Sequence, residues 1–135
     1  MGKAIGIGGI FMKFKDPSRM NKWYKEVLGL ETNDYGVLFS FNGNSNEKAY
    51  LQLGTFDQSS GYFGSPQQQY MINFRVDDLV SLCMKMKEMN VEIVDEIEEF
   101  SYGKFLHIND PEGNRIELWE PLGESFEQEN CNEMK

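Results

Sequence analysis

The chain has 135 residues and a formal net charge of −9, with 40% hydrophobic and 13% aromatic residues. This length favours a single domain or two very small modules that share one core, and the apolar content is enough to build that core. The negative charge argues against nucleic acid and against an anionic membrane surface as partners, because both require clustered Lys and Arg.

The location that the sequence favours is a reducing cytoplasm. No apolar run approaches the roughly 20 residues that span a bilayer, and the first fifteen residues lack the pattern of a signal peptide. Cys83 and Cys131 have no metal-type spacing, and Cys83 falls on an apolar helix face, where a thiol packs as a small hydrophobic group. We therefore expect a cytoplasmic protein.

The first half begins with a strand and a helix. Alternation over residues 10–15 predicts the strand, and Asp16-Pro17 supplies an N-cap and a first-turn proline that predict the start of the helix. The helix carries one apolar stripe and ends at Gly29. The residues of that stripe are Met20, Trp23, Tyr24, Val27 and Leu28. Short strands are predicted next, over 30–33, 37–41 and 49–54, with a turn at Asn42-Gly43.

The segment Thr55–Gln69 contains Gly61, Gly64, Pro66 and three consecutive glutamines, which is typical of a linker or a long loop. Its composition does not distinguish a simple linker from a lid over a site.

The second half repeats the order of the first. Residues 71–76 predict a strand, and Asp77-Asp78 predicts a helix cap. Asn90 occupies the helix-ending position that Gly29 has in the first half. The predicted apolar stripe of this helix is Leu79, Leu82, Cys83, Met86 and Met89. Strands are predicted over 91–95, 104–109 and 114–119. The nearly constant offset between the halves indicates a structural repeat, so each half is strand, helix and three strands.

The turn Asp110-Pro111-Glu112-Gly113 has the residue preferences of a type I turn and predicts a hairpin. If Ile116 and Leu118 face the helices, alternation places Glu117 on the opposite face, beside His107 of the preceding strand. The same alternation places a larger set of residues on the face of the sheet that points away from the helices. These residues are Phe11, Lys13, Tyr50, Gln52, Met71, Asn73, Arg75, Phe105, His107, Arg115, Glu117 and Trp119.

The two strand-helix-three-strand units, the helix ending WYKEVLGLE and above all FLHINDPEGNRIELWEP resemble the vicinal oxygen chelate superfamily of glyoxalases, bleomycin-resistance proteins and extradiol dioxygenases. The resemblance covers roughly residues 5–121. It implies an α+β fold in which two tandem βαβββ modules form a curved, mostly antiparallel β-cup with the helices outside. It also implies a ligand site in the cup and a homodimer.

The prediction for the domain organisation is one domain over residues 1–121. Its modules lie at about 5–57 and 69–121, joined by a linker at about 58–68, and residues 122–135 form an acidic, flexible tail.

The resemblance implies four metal-ligand positions on the cup strands. They fall seven residues before each helix cap, at Gly9 and Met71, and in the last strand of each half, at Gln52 and Glu117. Only Glu117 is a strong ligand, because glycine has no side chain and a thioether suits soft metals. The chain has one histidine, His107, which together with Glu117 and Gln52 would make an incomplete site. We therefore expect no cofactor, and a divalent metal only at Glu117, Gln52 and His107.

Glu117 and His107 are the candidate catalytic residues. His107 is a metal ligand, a general base beside Glu117, or a hydrogen-bonded histidine lining the cup. Glu117 either contacts a ligand or a metal directly, or belongs to an ion pair or hydrogen-bond network. Lys13, Arg75 and Arg115 are its candidate ion-pair partners.

Aromatic residues give the cup its predicted chemistry. Phe11, Tyr50, Phe105 and Trp119 map to the cup face, and Tyr102 lies on the loop before Phe105. An apolar concavity with a few polar groups suits a small organic ligand. The alternative is that these rings pack against each other or in a dimer interface.

Three functional hypotheses follow. The favoured one is a glyoxalase/bleomycin-resistance-like protein that binds a small, partly aromatic molecule in the cup without the full metal site. The second is a glyoxalase-type lyase or isomerase with a residual metal or acid–base site at Glu117, a dioxygenase being disfavoured by the missing ligands. The third is a non-catalytic interaction module with a filled cup.

Overall fold

The computed structural model describes residues 2–42 and 48–121. The nine strands and two helices of these residues form a mixed α+β fold with one curved sheet. In chain order they are β1 (Ala4–Phe14), α1 (Pro17–Leu28), β2 (Thr32–Asn33), β3 (Gly36–Asn42), β4 (Lys48–Asp57), β5 (Tyr70–Val76), α2 (Leu79–Glu88), β6 (Glu92–Ile93), β7 (Glu98–Phe100), β8 (Gly103–Asn109) and β9 (Arg115–Pro121). The predicted tail and most of the predicted Asn42-Gly43 turn lie outside these ranges.

The sheet joins the two halves at their first strands. Its order is β2-β3-β4-β1-β5-β9-β8-β6, with β7 paired to β8. β1 and β5 run antiparallel, whereas β1–β4 and β5–β9 are parallel pairs. The sheet is mostly antiparallel, as predicted, but the second half has one more strand than predicted. β7 was missed because Glu98-Glu99-Phe100 is too short and too charged to show an alternating pattern.

Both helices begin and end as the local sequence predicts. The carboxylates of Asp16 and Asp78 accept hydrogen bonds from the backbone N–H groups of Arg19 and Ser81, each at 3.1 Å. Gly29 and Asn90 follow the helices with φ of 71° and 59°, the left-handed conformation that ends helices.

The two helices differ in what they bury. Leu79, Cys83 and Met86 of α2 pack with Leu106 and Leu118 in the main core, and Leu82 packs against this cluster. The predicted stripe of α2 therefore faces the sheet except at its last residue, Met89, which is 66% exposed. Ile108 and Ile116 pack against the same cluster, which confirms the predicted alternation of the hairpin.

The apolar stripe of α1 does not form a core. Trp23, Val27 and Leu28 are about half exposed, and the buried residue of the helix is Asn21. Its side chain donates to the carbonyl of Asn33 and accepts from the Thr55 hydroxyl. The 3.6-residue period identified the helix correctly, but the helix turns a polar side chain toward the sheet.

The β8–β9 hairpin is closed by the predicted turn. The Asp110 carboxylate accepts from the backbone N–H groups of Glu112 and Asn114, and Gly113 has φ of 85°. These hydrogen bonds hold the pKa of Asp110 below its ordinary value. The turn sets a register in which His107 lies directly opposite Glu117.

Residues 58–69 pack onto the concave face of the sheet. The Phe63 side chain is completely buried against Phe11 and Met71. At the end of the segment, the Gln68 side chain makes two hydrogen bonds to the backbone of Arg115, at 2.8 and 2.9 Å. The segment is therefore fixed inside the cup, and its tip is brought close to β9.

None of the helices in the described ranges is long and apolar enough to cross a membrane.

Candidate functional site

The centre of the site is the carboxylate of Glu117, which is only 2% exposed. Asn73 lies beside it on β5, in register with it, and donates from Nδ2 to Glu117 Oε1 at 2.6 Å. His107 Nε2 lies 2.8 Å from Glu117 Oε2, and the hydroxyl of Tyr62 also donates to Oε2. The buried charge is thus stabilised by three hydrogen-bonding groups from three parts of the chain.

Asn73 can approach Glu117 because the neighbouring strand β1 carries a glycine, Gly8, beside the Asn73 side chain. A Cβ atom at Gly8 would lie 2.5 Å from Asn73 Oδ1 and 2.7 Å from a ring atom of Trp119. The missing side chain therefore leaves the room in which Asn73 approaches Glu117.

His107 connects Glu117 to a second carboxylate, that of Asp95. His107 Nδ1 lies 2.6 Å from Asp95 Oδ2, and the backbone N–H of His107 donates to Asp95 Oδ1 at 2.8 Å. Asp95 follows β6, and the backbone N–H of Val94 donates to the carbonyl of His107, which holds this segment against β8. The result is a continuous chain of hydrogen bonds, Asp95–His107–Glu117, and we call it the Asp-His-Glu chain.

The surroundings shift the pKa values of His107 and Tyr62. Burial on its own would lower the pKa of His107, but its hydrogen bonds to Glu117 and Asp95 and their charges outweigh burial and raise it above 6.5. Burial, followed by the charge of Glu117, raises the pKa of Tyr62 far above its ordinary value. Tyr62 therefore keeps its proton and acts as a hydrogen-bond donor.

Tyr62 separates Glu117 from the interior of the cup. The tyrosine is 42% exposed, and its ring stacks on Phe56 with centroids 5.7 Å apart. Its hydroxyl also lies 3.1 Å from His107 Nε2. Tyr62 thus covers the carboxylate and presents the outer part of its own ring to the cup.

The basic residues proposed as partners of Glu117 make other contacts. Lys13 donates to the carbonyl of Ser65 at 3.4 Å and lies over the Phe63 ring, 5.0 Å from its centroid. The guanidinium of Arg115 packs against Gly64. Within residues 2–42 and 48–121, neither of these residues nor Arg75 pairs with Glu117, because the segment 58–69 brings in Tyr62 instead.

The side chains at the four positions that the family resemblance assigns to metal ligands do not come together around one metal ion. Gly9 has no side chain, and Gln52 turns its amide to the backbone carbonyls of Leu53 and Tyr35, at 3.2 and 3.5 Å. Met71 is buried with Phe11 and Phe63, so Asn73 and not Met71 stands beside Glu117. Met71 was predicted by its distance from the helix cap. That distance does not determine the register between the parallel strands β5 and β9, and the prediction was therefore wrong.

The remaining donors do not complete a metal site either. Both ring nitrogens of His107 are engaged by carboxylates. The described part of the chain contains no group of three or more His, Cys, Asp or Glu side chains that could hold a metal ion. These residues do not fit the divalent metal that the family resemblance implies.

Beyond Tyr62 and His107 lies a cavity of about 1020 Å³ between the two halves of the cup. One wall carries Phe11, Phe56 and Tyr62, and the other carries Phe100, Tyr102 and Phe105. Its remaining lining residues are Asp34, Tyr35, Gln52, Gly54, Thr55, Asp57, Ser60, Glu98 and His107.

Only some of the residues that were predicted to bind a ligand line the cavity. Phe11, Gln52, Tyr102, Phe105 and His107 line it. Asn73 and Glu117 lie behind Tyr62, and Trp119 is buried with its ring stacked on Phe105. The other predicted residues, Lys13, Tyr50, Met71, Arg75 and Arg115, are not among the lining residues.

Sequence reasoning missed Tyr62, Asp95, Phe56, Glu98 and Phe100. Tyr62 and Phe63 stand between two glycines in a polar loop, and two adjacent aromatic residues in such a loop are a weak signal that it packs back on the domain. Asp95 carries no local signal, since its partner is twelve residues away on another strand.

Comparison with known proteins agrees with this architecture. The family model described as Glyoxalase/Bleomycin resistance protein/Dioxygenase superfamily matches residues 6–118. A search of curated proteins found no match.

Solved structures with the same fold include two methylmalonyl-CoA epimerases. A variant of the enzyme from Streptomyces coelicolor, in complex with 2-nitronate-propionyl-CoA, has a TM-score of 0.68 and 14% identity, covering 90% of this chain and 100% of that chain. The enzyme from Mycobacterium tuberculosis has a TM-score of 0.58 and 19% identity, covering 88% and 89%.

A third solved structure comes from Vibrio splendidus 12B01 and is described as a glyoxalase/bleomycin resistance protein/dioxygenase superfamily member. Its TM-score is 0.54 with 15% identity, covering 84% of this chain and 97% of that chain. At these identities the likeness concerns the fold. Because the family model spans most of the sequence, the chain belongs to the glyoxalase/bleomycin resistance protein/dioxygenase superfamily.

Proposed function

We propose that this protein binds a small, partly aromatic organic molecule in the cavity of its β-cup. The observation that carries the proposal is the cavity itself, about 1020 Å³ between two aromatic walls with His107 and Tyr62 among its lining residues. Small-molecule sites are typically concave, mostly apolar and supplied with a few placed polar groups. The proposal requires no metal, in keeping with the donor atoms described above.

Thermal shift and NMR titration with a panel of small aromatic compounds and thiol adducts test this function. We expect at least one aromatic compound to stabilise the protein and to shift the signals of His107. Phe100→Ala removes a ring from one wall and should weaken that binding. Tyr70→Ala is the matched control, because Tyr70 is 63% exposed and is not among the residues that line the cavity.

Two results would contradict the proposal. One is a complete panel without any stabilising compound. The other is binding that Phe100→Ala and Tyr70→Ala weaken equally, since that would place the ligand elsewhere.

A second candidate function is that of a glyoxalase-type lyase or isomerase that works by acid–base chemistry. The Asp-His-Glu chain favours it, because a buried carboxylate and an imidazole with a raised pKa are suited to proton transfer. In this function Glu117 and His107 supply the acid–base pair, His107 from the lining of the cavity and Glu117 from behind the Tyr62 hydroxyl.

Turnover of a hemithioacetal, abolished by Glu117→Gln, would favour this enzyme over the binding protein. An acyl thioester belongs in the same assay, because similar solved structures are methylmalonyl-CoA epimerases. If the protein turns over neither substrate and still binds small molecules in its cavity, the binding function is favoured over the enzyme.

The third hypothesis, an interaction module, required a cup filled by side chains. The cavity described above favours the binding protein over this hypothesis. The homodimer that the family resemblance implies stays a prediction. We also expect, from composition alone, a cytoplasmic location.

A further inference from the structure

We propose that the ligand of the cup is an organic cation, a protonated amine or a quaternary ammonium group attached to an aromatic or apolar body. This inference rests on the proposed function, because it names the chemical class of the molecule that the cavity takes.

The polar groups that line the cavity are predominantly negative. Asp34, Asp57 and Glu98 line it, whereas no Lys or Arg of the described residues does. Asp57 is held in its ionised form, because its carboxylate accepts hydrogen bonds from the side chain and the backbone of Ser59, which lower its pKa. A ligand entering this cavity therefore meets negative charge on both sides, from the first half of the chain and from β7.

The basic side chains of Lys13 and Arg115 are not among the lining residues of the cavity and make other contacts. Lys13 is 8% exposed and held by Ser65 and the Phe63 ring, and Arg115 lies against Gly64. His107 is the one group of the lining that gains a positive charge, and it lies between the carboxylates of Asp95 and Glu117. The Asp-His-Glu chain therefore holds two carboxylates against a single imidazolium and adds to the negative field.

The two aromatic walls suit a cation as well. Phe56 and Tyr62 stack with an interplanar angle of 10°, and Phe100 and Tyr102 stack at 6° with centroids 5.4 Å apart. The face of an aromatic ring attracts a cation placed within about 6 Å of its centroid. An ammonium group between these walls would combine cation–π contacts with the carboxylates, while its apolar body would occupy the rest of the cavity.

The same features disfavour an anionic ligand. Carboxylate and phosphate groups are recognised by Arg, Lys or clustered backbone N–H groups, and no Arg or Lys of the described chain lines this cavity. An anion would also lose hydration while it approached Asp34, Asp57 and Glu98. We therefore expect this chain to discriminate against acyl-CoA esters, although similar folds bind them.

The test compares three probes of similar size and different charge: benzyltrimethylammonium, benzyl alcohol and phenylacetate. Binding is followed by NMR from the shifts of the single histidine, at low and at high salt. We expect the cation to bind at least about tenfold more tightly than phenylacetate at low salt, and the difference to shrink as salt screens the carboxylates.

Two variants locate the charge effect. The double variant Asp57→Asn/Glu98→Gln should weaken binding of the cation by roughly three- to tenfold and leave that of benzyl alcohol nearly unchanged. Glu26→Gln/Glu112→Gln removes the same number of charges outside the cavity lining and should change neither. A circular dichroism spectrum of each variant confirms that it is folded.

Phenylacetate binding as tightly as the cation would overturn the inference, while the small-molecule function would stand. Equal weakening of the cation by the two double variants would overturn it too, because overall charge and not the cavity would then be responsible. If none of the three probes binds, the inference fails, and the panel of aromatic compounds described above decides separately on the proposed function.

Discussion

The hydroxyl of Tyr62 donates a hydrogen bond to the carboxylate of Glu117, a residue 55 positions later in the chain. This contact joins the segment after β4 to the last strand of the sheet. It also closes the path between the buried carboxylate and the cavity, so the same two residues matter for stability and for function.

Tyr62→Phe tests this relationship. The variant keeps the ring but removes one of the three hydrogen-bonding groups of a buried carboxylate, so we expect a loss of about 1–2 kcal/mol in the free energy of unfolding. Urea denaturation measures it. Tyr70→Phe, which alters an exposed tyrosine, is the control and should leave stability unchanged. Equal stability of both variants would show that the contact contributes nothing.

The stability of the protein should fall as the pH rises above about 6.5, because His107 binds its proton more tightly in the folded state. Its folded pKa is raised above 6.5, so its stabilising contribution is complete below about pH 6.5 and is lost as the pH rises through the raised value. We expect the urea midpoint to fall over this range in the wild type and to fall less in His107→Gln. Parallel pH profiles of the two proteins would contradict the assignment.

Asp95→Asn should lower the pKa of His107, because it removes one of the two carboxylates that stabilise the imidazolium. The chain has a single histidine, so one Hε1 resonance reports the titration directly. Glu96→Gln is the control, since that exposed neighbour has no contact with the ring in the structure. An unchanged His107 pKa in Asp95→Asn would mean that the 2.6 Å contact is not maintained in solution.

Gly64→Ala should destabilise the protein because the segment 58–69 is packed tightly at this residue. Gly64 has φ of 83°, and a Cβ atom there would lie 2.8 Å from the guanidinium carbon of Arg115. The strained backbone alone predicts a loss of about 1–2 kcal/mol. At Gly61 a Cβ atom meets nothing within 4 Å, so Gly61→Ala should change stability by less than about 0.5 kcal/mol. A segment that is not docked in the cup would tolerate both substitutions equally.

Removal of divalent metals should leave the melting temperature unchanged, since Gly9, Gln52 and Asn73 supply no strong ligands beside Glu117. The measurement is a thermal melt with and without EDTA, together with elemental analysis of protein purified without an affinity tag. Stoichiometric zinc, nickel, manganese or iron that disappears in Glu117→Ala would contradict this prediction.

Short-range patterns predicted most of the fold. Asp16-Pro17 and Asp78 mark the starts of the helices, Gly29 and Asn90 their ends, and Asp110-Pro111 the hairpin turn. Each of these depends on hydrogen bonds and backbone preferences within a few residues, which the local sequence determines. The strand alternation likewise placed Glu117 and His107 on the same face.

Contacts between distant segments were not predictable in the same way. Of the alternatives for Glu117, the structure shows a hydrogen-bond network. Within the described residues Lys13 and Arg75 are not its partners, because the path of residues 58–69 brings Tyr62 to that carboxylate. The family pattern pointed to Met71, whereas the register of β5 and β9 places Asn73 there. A strand register depends on how side chains pack across the whole sheet, and no local pattern encodes it.

The sequence alone therefore determined the two-module α+β fold and one acidic residue on the concave face of its cup, because periodicity and turn chemistry act over short distances. Only the tertiary structure decided that Glu117 is linked through His107 to Asp95 and covered by Tyr62. It also decided that three carboxylates and two aromatic walls line one cavity. Those arrangements depend on segments tens of residues apart, which meet only when the sheet curves and the segment 58–69 packs into it.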